Sequence, residues 1–424
     1  MSTHCFLPFR NSIFLPFRPS AVLPFAYLSA IMHIIKLQKG REQSILRRHP
    51  WIFSRAIQSG TEGLADGDTV IIHDSKGQTL GTGHYQDSSL AIRLIAFEEV
   101  KTDEAFWHSR LEEAAQYRLS LGFIKPGVTD TFRLVHGEGD QMPGLIIDIY
   151  GSVAVVQAHS IGMFKALHDI SNALTKLSGI HITSVYSKSK DALPSNFAHR
   201  ISDEWLKGEP HEEIIVHEGG IAFAINVVTG QKTGFFLDQR ENRELVRRYS
   251  NGKEVLNSFC YTGGFSLYAL MGGANEVVSI DTSALALELL EKNLTLNAFS
   301  GTHHSVKENV LTWLSQPEDK LFDIVIVDPP AFAKSLSKRH NAIQAYKRLN
   351  IMAMSRVKKG GMLFTFSCSQ VVDKPLFHNT IVAAAIESGR LARVVHELGQ
   401  GPDHPVSIFH PEGHYLKGLA LYLD

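Results

Sequence analysis

In the string TFSCSQ, Thr365 to Gln370, a thiol stands where an apolar run ends. The chain has only 3 cysteines, Cys5, Cys260 and Cys368. Cys368 is therefore either a small core side chain or a nucleophile. An odd number of thiols without CxxC spacing argues against a disulfide framework or a zinc site and fits a reducing cytosol. The 21 histidines offer no spacing that matches a metal geometry. His303 and His304 are adjacent and diverge, and His404, His410 and His414 sit among prolines and glycine. No metal is expected.

Three further strings could do chemistry. NSFCYTGGFS, Asn257 to Ser266, puts Tyr261-Thr262-Gly263-Gly264 after an apolar run, a loop where backbone can approach a ligand closely. It lacks the GxGxxG spacing of a pyrophosphate-binding dinucleotide fold, which disfavours NAD. Asp281, followed by Thr282, ends the next apolar run 18 positions after Gly263. An acid there can accept from ribose hydroxyls, and equally can cap a helix. A nucleoside ligand without pyrophosphate suggests S-adenosylmethionine. In VDPPAF, Val327 to Phe332, Pro329 and Pro330 fix the direction of Asp328. That carboxylate or its neighbouring carbonyls can accept from the exocyclic amine of a base; a rigid turn with a solvated aspartate is the plainer alternative.

The elements that must position these residues follow from hydrophobic patterning. From residue 212 onward, apolar strands alternate with helical stretches: Val255–Phe259, Glu276–Ile280, Phe322–Val327 and Met362–Phe366, each followed by a helix. The uniformly apolar Ile324-Val325-Ile326-Val327 suits a strand covered by helices on both faces. This is the pattern of a doubly wound α/β domain, whose ligands bind beyond the carboxyl ends of the strands. Upstream, residues 34–96 read as short strands with glycine turns, a small β-barrel or sandwich. Asp103 to Leu121 reads as a connector helix. A small α+β unit follows, with a helix at Met163–Leu177 and a strand at Ile182–Tyr186, and Ser187 to Pro210 reads as a linker. The expected domains are 1–31, a disordered extension or over-extended start before Met32; 32–101, β-rich; 102–210, connector and middle α+β unit; and 211–424, the α/β domain. Residues 21–35 are apolar but broken by Pro24 and short for a membrane span, so no membrane association is expected.

GQKTGFFLDQRENR, NSFCYTGGFSLYAL, VVSIDTS, VDPPAFAKS and FTFSCSQ, in that order, resemble the bacterial cytosine-5 methyltransferases of large-subunit ribosomal RNA, as does the closing DHPVSIFHPEGHYLKG. The resemblance runs from about Ile34 to Asp424. It implies an N-terminal PUA domain, a middle α+β domain and a class I methyltransferase domain. It implies that Cys368 is the nucleophile, that Asp328 holds the cytosine, and that S-adenosylmethionine meets Tyr261, Thr262, Gly263, Gly264, Asp281, Thr282 and Asp328. Gln231 and Lys232 would help to close that pocket. Where the family commonly has aspartate near the adenine, this chain reads Glu308-Asn309, and Asn309 is expected to take that contact.

Such chemistry needs a thiolate that adds to carbon 6 of the ring and later departs. An unperturbed thiol with a pKa of about 8.5 ionises little at neutral pH, so a group that lowers it is expected. Formal net charge is −1, so a nucleic-acid surface must come from local clusters. Lys334, Lys338 and Arg339 follow the DPP turn; Arg47, Arg48 and Arg55 lie near Trp51 and Phe53. These suit phosphate contacts to ribosomal RNA. Phe332 can stack on a base or serve as core. A cytoplasmic enzyme is expected, with a homodimer left open. Two other readings stand: a methyltransferase for a base nitrogen, which needs no cysteine, and a non-catalytic RNA-binding assembly factor, which would have a damaged cofactor pocket.

Overall fold

The computed structural model describes residues 33–317 and 320–424, which include four β-sheets. The expectation for residues 1–31 lies outside the described residues. The first sheet has six strands, His33–Leu37, Trp51–Phe53, Ile57–Ser59, Thr69–His73, Thr79–Tyr85 and Leu90–Ala96. Ile35, Leu37, Ile52, Val70, Ile72 and Ile92 fill its core.

The helix Glu104–Ser120 begins where Asp103 accepts from the Phe106 N–H at 3.2 Å. It is more than a connector. Trp107, Leu111, Ala114 and Ala115 pack into one core with Phe132, Leu134, Ile147 and Val156 of the five-stranded middle sheet. The single helix expected over 163–177 is two, Ile161–Lys165 and Leu167–Leu174. The stretch read as a linker contains Glu204–Lys207, which pairs antiparallel with Ser184–Ser187 and completes the middle sheet. Trp205 packs on Tyr186 there, ring centroids 4.9 Å apart. Four residues with partly exposed side chains give too short a pattern to read as a strand.

A two-stranded hairpin, Glu213–Glu218 with Ile221–Asn226, precedes the largest sheet. Its seven strands are β1 Glu254–Ser258, β2 Glu276–Asp281, β3 Thr302–Lys307, β4 Phe322–Val327, β5 Val357–Ser367, β6 Ala392–Gly399 and β7 Lys417–Leu423, in spatial order β3-β2-β1-β4-β5-β7-β6. β1 to β5 run parallel; β7 runs antiparallel between β5 and β6. The helices that follow in the chain are α1 Arg240–Tyr249, α2 Gly264–Met271, α3 Ala284–Thr295, α4 Val310–Leu314, α5 Arg339–Ser355 and α6 Lys374–Ser388. The alternation expected from sequence is present, with three strands more than were read. β3 (THHSVK) and most of β6 are exposed edges without an apolar run, so their pattern is weak.

Register sets the site. Ser258 pairs with Ile280 on one side and Val327 on the other, and Val327 pairs with Thr365. Asp281, Asp328 and Cys368 follow those positions by one, one and three residues, so all three stand along the carboxyl rim of the parallel strands.

Candidate active site

The loop after β1 is bent by left-handed backbone. Phe259 has φ 61°, Tyr261 φ 48° and Gly263 φ 83°. Non-glycine residues in this region are uncommon and are held there by surrounding contacts. Asp281 supplies one: its Oδ2 accepts from the Tyr261 N–H at 2.9 Å, and its Oδ1 from the Ser283 N–H at 2.9 Å. The Tyr261 hydroxyl donates to the Gly234 carbonyl at 3.1 Å and accepts from the Gln231 N–H at 2.9 Å. The GQKTG segment is thereby tied to the loop.

Together they enclose a cavity of about 230 Å³. Gln231, Lys232, Tyr261, Thr262, Gly264, Asp281, Thr282, Asp328, Pro329, Pro330 and Cys368 all line it. Gly263 does not. A Cβ there would lie 2.6 Å from Leu290 Cγ, so its glycine serves helix packing and the positive φ. Asn309 is not among the lining residues; its Oδ1 accepts from the N–H groups of Leu311 and Thr312 and caps α4. Sequence reading passed over Phe235, Phe236, Asp238, Gln239, Arg243, Phe259, Phe265 and Leu416 as individual lining residues. Five of these fall within the quoted string GQKTGFFLDQRENR, which was the available signal.

Asp328 is half-buried and accepts from Gln239 Nε2 at 3.0 Å. Burial, then the nearby Asp238 carboxylate, push its pKa up to about 7, against the Gln239 hydrogen bond and the charges of Lys232 and Arg243. Burial and Asp328 also push the Cys368 thiol upward, while Lys232 draws it down. The expected lowering of that thiol is therefore absent as a net effect. A desolvated site beside two carboxylates disfavours another anion.

A second cavity, about 310 Å³, also reaches the thiol. Ala331, Ala333, Lys334, Cys368, Ser369, Gln370, Val371 and Tyr415 line it. Ser369 Oγ donates to the Ala333 carbonyl at 2.8 Å, joining the Cys368 segment to the turn after Asp328. Phe332 turns partly into the core, its ring 4.6 Å from that of Tyr346. Lys338 and Arg339 are exposed at the start of α5. Arg47, Arg48 and Arg55 are exposed in the N-terminal unit, with the Arg48 guanidinium 5.1 Å from the Phe97 ring centroid. These basic side chains line neither cavity.

His49, His410 and Glu412 bring potential metal-ligand atoms within 4.8 Å of one another. His49 Nδ1 accepts from the Trp51 N–H at 3.2 Å, which puts the ring proton on Nε2, 3.7 Å from Glu412. In that tautomer Nε2 has no lone pair for an ion. The cluster instead joins the first sheet to the loop before β7, with Trp51 and His410 ring centroids 4.4 Å apart.

The chain matches, over residues 132–406, the family described as S-adenosylmethionine-dependent methyltransferase, and over residues 35–97 a PUA-like domain. The chain belongs to the S-adenosylmethionine-dependent methyltransferases. The methyltransferase is 39% identical over 394 residues to ribosomal RNA large subunit methyltransferase I of Aeromonas hydrophila, covering 91% of this chain and 98% of that one. Identity to the protein of the same name from Shewanella denitrificans is 39% over 397 residues, with coverage of 91% and 98%. In fold it resembles a Streptococcus mutans protein provisionally assigned as a SAM-dependent methyltransferase, at 22% identity and TM-score 0.77, covering 92% of this chain and 100% of that one. The first cavity fits the methyl donor. Thr262 Oγ1 and Asp238 Oδ1 are buried on its wall without a partner among the described residues, beside the apolar rings of Phe259 and Phe265. Among the described residues no helix is long and apolar enough to cross a membrane.

Proposed function

We propose that this enzyme forms 5-methylcytosine in large-subunit ribosomal RNA through a covalent adduct on Cys368. The observation that carries this reading is the place of the thiol, shared by two cavities: the donor's, with Asp328 on its wall, and a second one reached past Lys334 and Ser369. A methyltransferase for a base nitrogen has no use for a nucleophile at that junction. The relatives whose names specify ribosomal RNA of the large subunit support the substrate class.

S-adenosylmethionine, when bound, supplies an electrophilic methyl group. Carbon 5 of cytosine is too weak a nucleophile to take it unaided. The Cys368 thiolate adds to carbon 6 and breaks the ring conjugation. Asp328, near half-protonated at neutral pH, can donate to the ring nitrogen that gains charge and accept from the exocyclic amine. Carbon 5 then takes the methyl group, loses its proton to a base, and the thiolate leaves. Gln239 keeps Asp328 in place, and Ser369 keeps the thiol segment against the DPP turn.

We assign Lys334, on the second cavity's rim, and the exposed Lys338, Arg339, Arg47, Arg48 and Arg55 to phosphate contacts. The domain division at residues 32–101, 102–210 and 211–424 and a cytoplasmic site of action belong to the same reading. Mapping of methylated cytosines by mass spectrometry, in ribosomal RNA from cells with and without the gene, tests it. Loss of one 5-methylcytosine supports the reading; an unchanged map, or loss of an N-methylated base, ends it.

A further inference from the structure

Burial and Asp328 push the Cys368 thiol upward by more than Lys232 draws it down, so forming a thiolate needs further positive charge. The groups facing Cys368 come from four directions: Asp328 after β4, Asp238 and Lys232 before α1, Tyr346 on α5, and β7. β7 begins with Lys417, which pairs in register with Ser367. Lys417 is only 7% exposed, and its Nζ donates to the Ser369 carbonyl at 2.7 Å. The ammonium thus sits on the Ser369–Gln370 peptide, one residue beyond Cys368. Among the described residues no carboxylate lies within ion-pair distance of it, although the buried arginines Arg118, Arg240 and Arg243 each have one. A buried ammonium without a counter-ion is costly. The anionic groups that act on it are the Cys368 thiolate, one residue before that carbonyl, and then Asp373.

We infer that Lys417 is the counter-ion of the Cys368 thiolate, acting through the nucleophile rather than on substrate. The inference rests on Cys368 as the reacting thiol. It agrees with the direction of the lysine's own titration: burial draws the ammonium down to about 8, and Cys368, then Asp373, oppose that. At neutral pH the lysine remains mostly charged. The arrangement also gives the closing DHPVSIFHPEGHYLKG string a chemical task beside that of Lys232, which acts on the same thiol.

The test reads the thiol directly. Alkylation of Cys368 by iodoacetamide, followed by peptide mass spectrometry between pH 6 and 10 without RNA, reports its ionisation. In Lys417→Met the midpoint should rise by about 1 unit or more, and alkylation at pH 8 should slow several-fold, toward about tenfold. Lys417→Arg, which keeps the charge, should stay near the wild-type profile. An unchanged midpoint in Lys417→Met, or an equal shift in both variants, overturns the inference. A reciprocal measurement keeps the lysine: in Cys368→Ser, acylation of Lys417 at pH 7 by acetic anhydride should be several-fold faster, because the neutral amine is no longer suppressed by a thiolate. An unchanged rate there also overturns it. None of these measurements involves methyl transfer, so their failure is separable from failure of the cytosine-5 reading, which the methylation map decides.

Discussion

Cys260 and Cys368 stand at two strand ends of one sheet, and their surroundings give them opposite characters. Cys260 follows β1, is 5% exposed, and packs with Leu287 and Leu290. Burial, then Asp281, push its thiol well above the usual range, and no lysine is among the groups that act on it. It lines the donor cavity alone. Cys368 follows β5, is half-buried, lines both cavities, and has Lys232 and Lys417 in its surroundings. Burial disfavours both thiolates. What separates the two cysteines is access to a second cavity and nearby positive charge.

Substitution should widen that contrast first. Cys368→Ser should lower methyl transfer to ribosomal RNA by at least about 10³-fold, because a hydroxyl is far harder to ionise and expel. Incorporation of labelled methyl groups measures this, and Cys260→Ser in the same assay should stay within about twofold of wild type. Surviving activity in Cys368→Ser would break the comparison outright.

Asp328→Asn should cost about 10²–10³-fold in kcat, the range for loss of a general acid. The same variant makes an opposite prediction for stability. The carboxyl titrates near 3.9 when unfolded and at about 7 when folded. Its contribution to stability is fully present below the unfolded value and is lost as pH rises through about 7. At pH 8 the wild type therefore carries a half-buried charge that asparagine lacks. The Tm of Asp328→Asn should exceed that of wild type at pH 8, with the gap closing toward pH 4. A gap that does not narrow with falling pH would show that Asp328 is ordinary in its titration.

Smaller effects sharpen the distinction. Cys260→Ser buries a hydroxyl in an apolar cluster and should cost about 1–2 kcal/mol of unfolding free energy, read by denaturant titration. Ser369→Ala removes the link to the Ala333 carbonyl. It should cost about 1 kcal/mol and lower kcat a few-fold, since it loosens the thiol segment without touching the ring.

The parts of this site that could be read from sequence share one cause. β1, β2, β4 and β5 are apolar runs, and the residues just after such runs must lie on a common rim once the strands are parallel. That is why Asp281, Asp328 and Cys368 were identifiable. Where side chains face water or the contact depends on a strand far away in the chain, the pattern fails. β3 and β6 are exposed edges. Asn309, expected at an adenine contact, has a further role that its sequence context did not suggest: its short amide oxygen reaches the free N–H groups of α4 and caps that helix, leaving its amide NH₂ outside that bond. Lys417 looks in sequence like an ordinary charged residue at the start of a strand. Its meaning depends on an antiparallel pairing with β5 that no local periodicity encodes. The absence of a net lowering at Cys368 was likewise invisible, because Asp328 and Asp238 are 90 positions apart.

The insertion of β7 between β5 and β6 gives one strand two tasks. β7 follows every other strand of its sheet in chain order, yet it is an inner one. Until β7 is seated, β6 has no inner neighbour to pair with, and the Ser369 carbonyl lacks its Lys417 partner. One strand therefore completes both the edge of the sheet and the surroundings of the Cys368 segment.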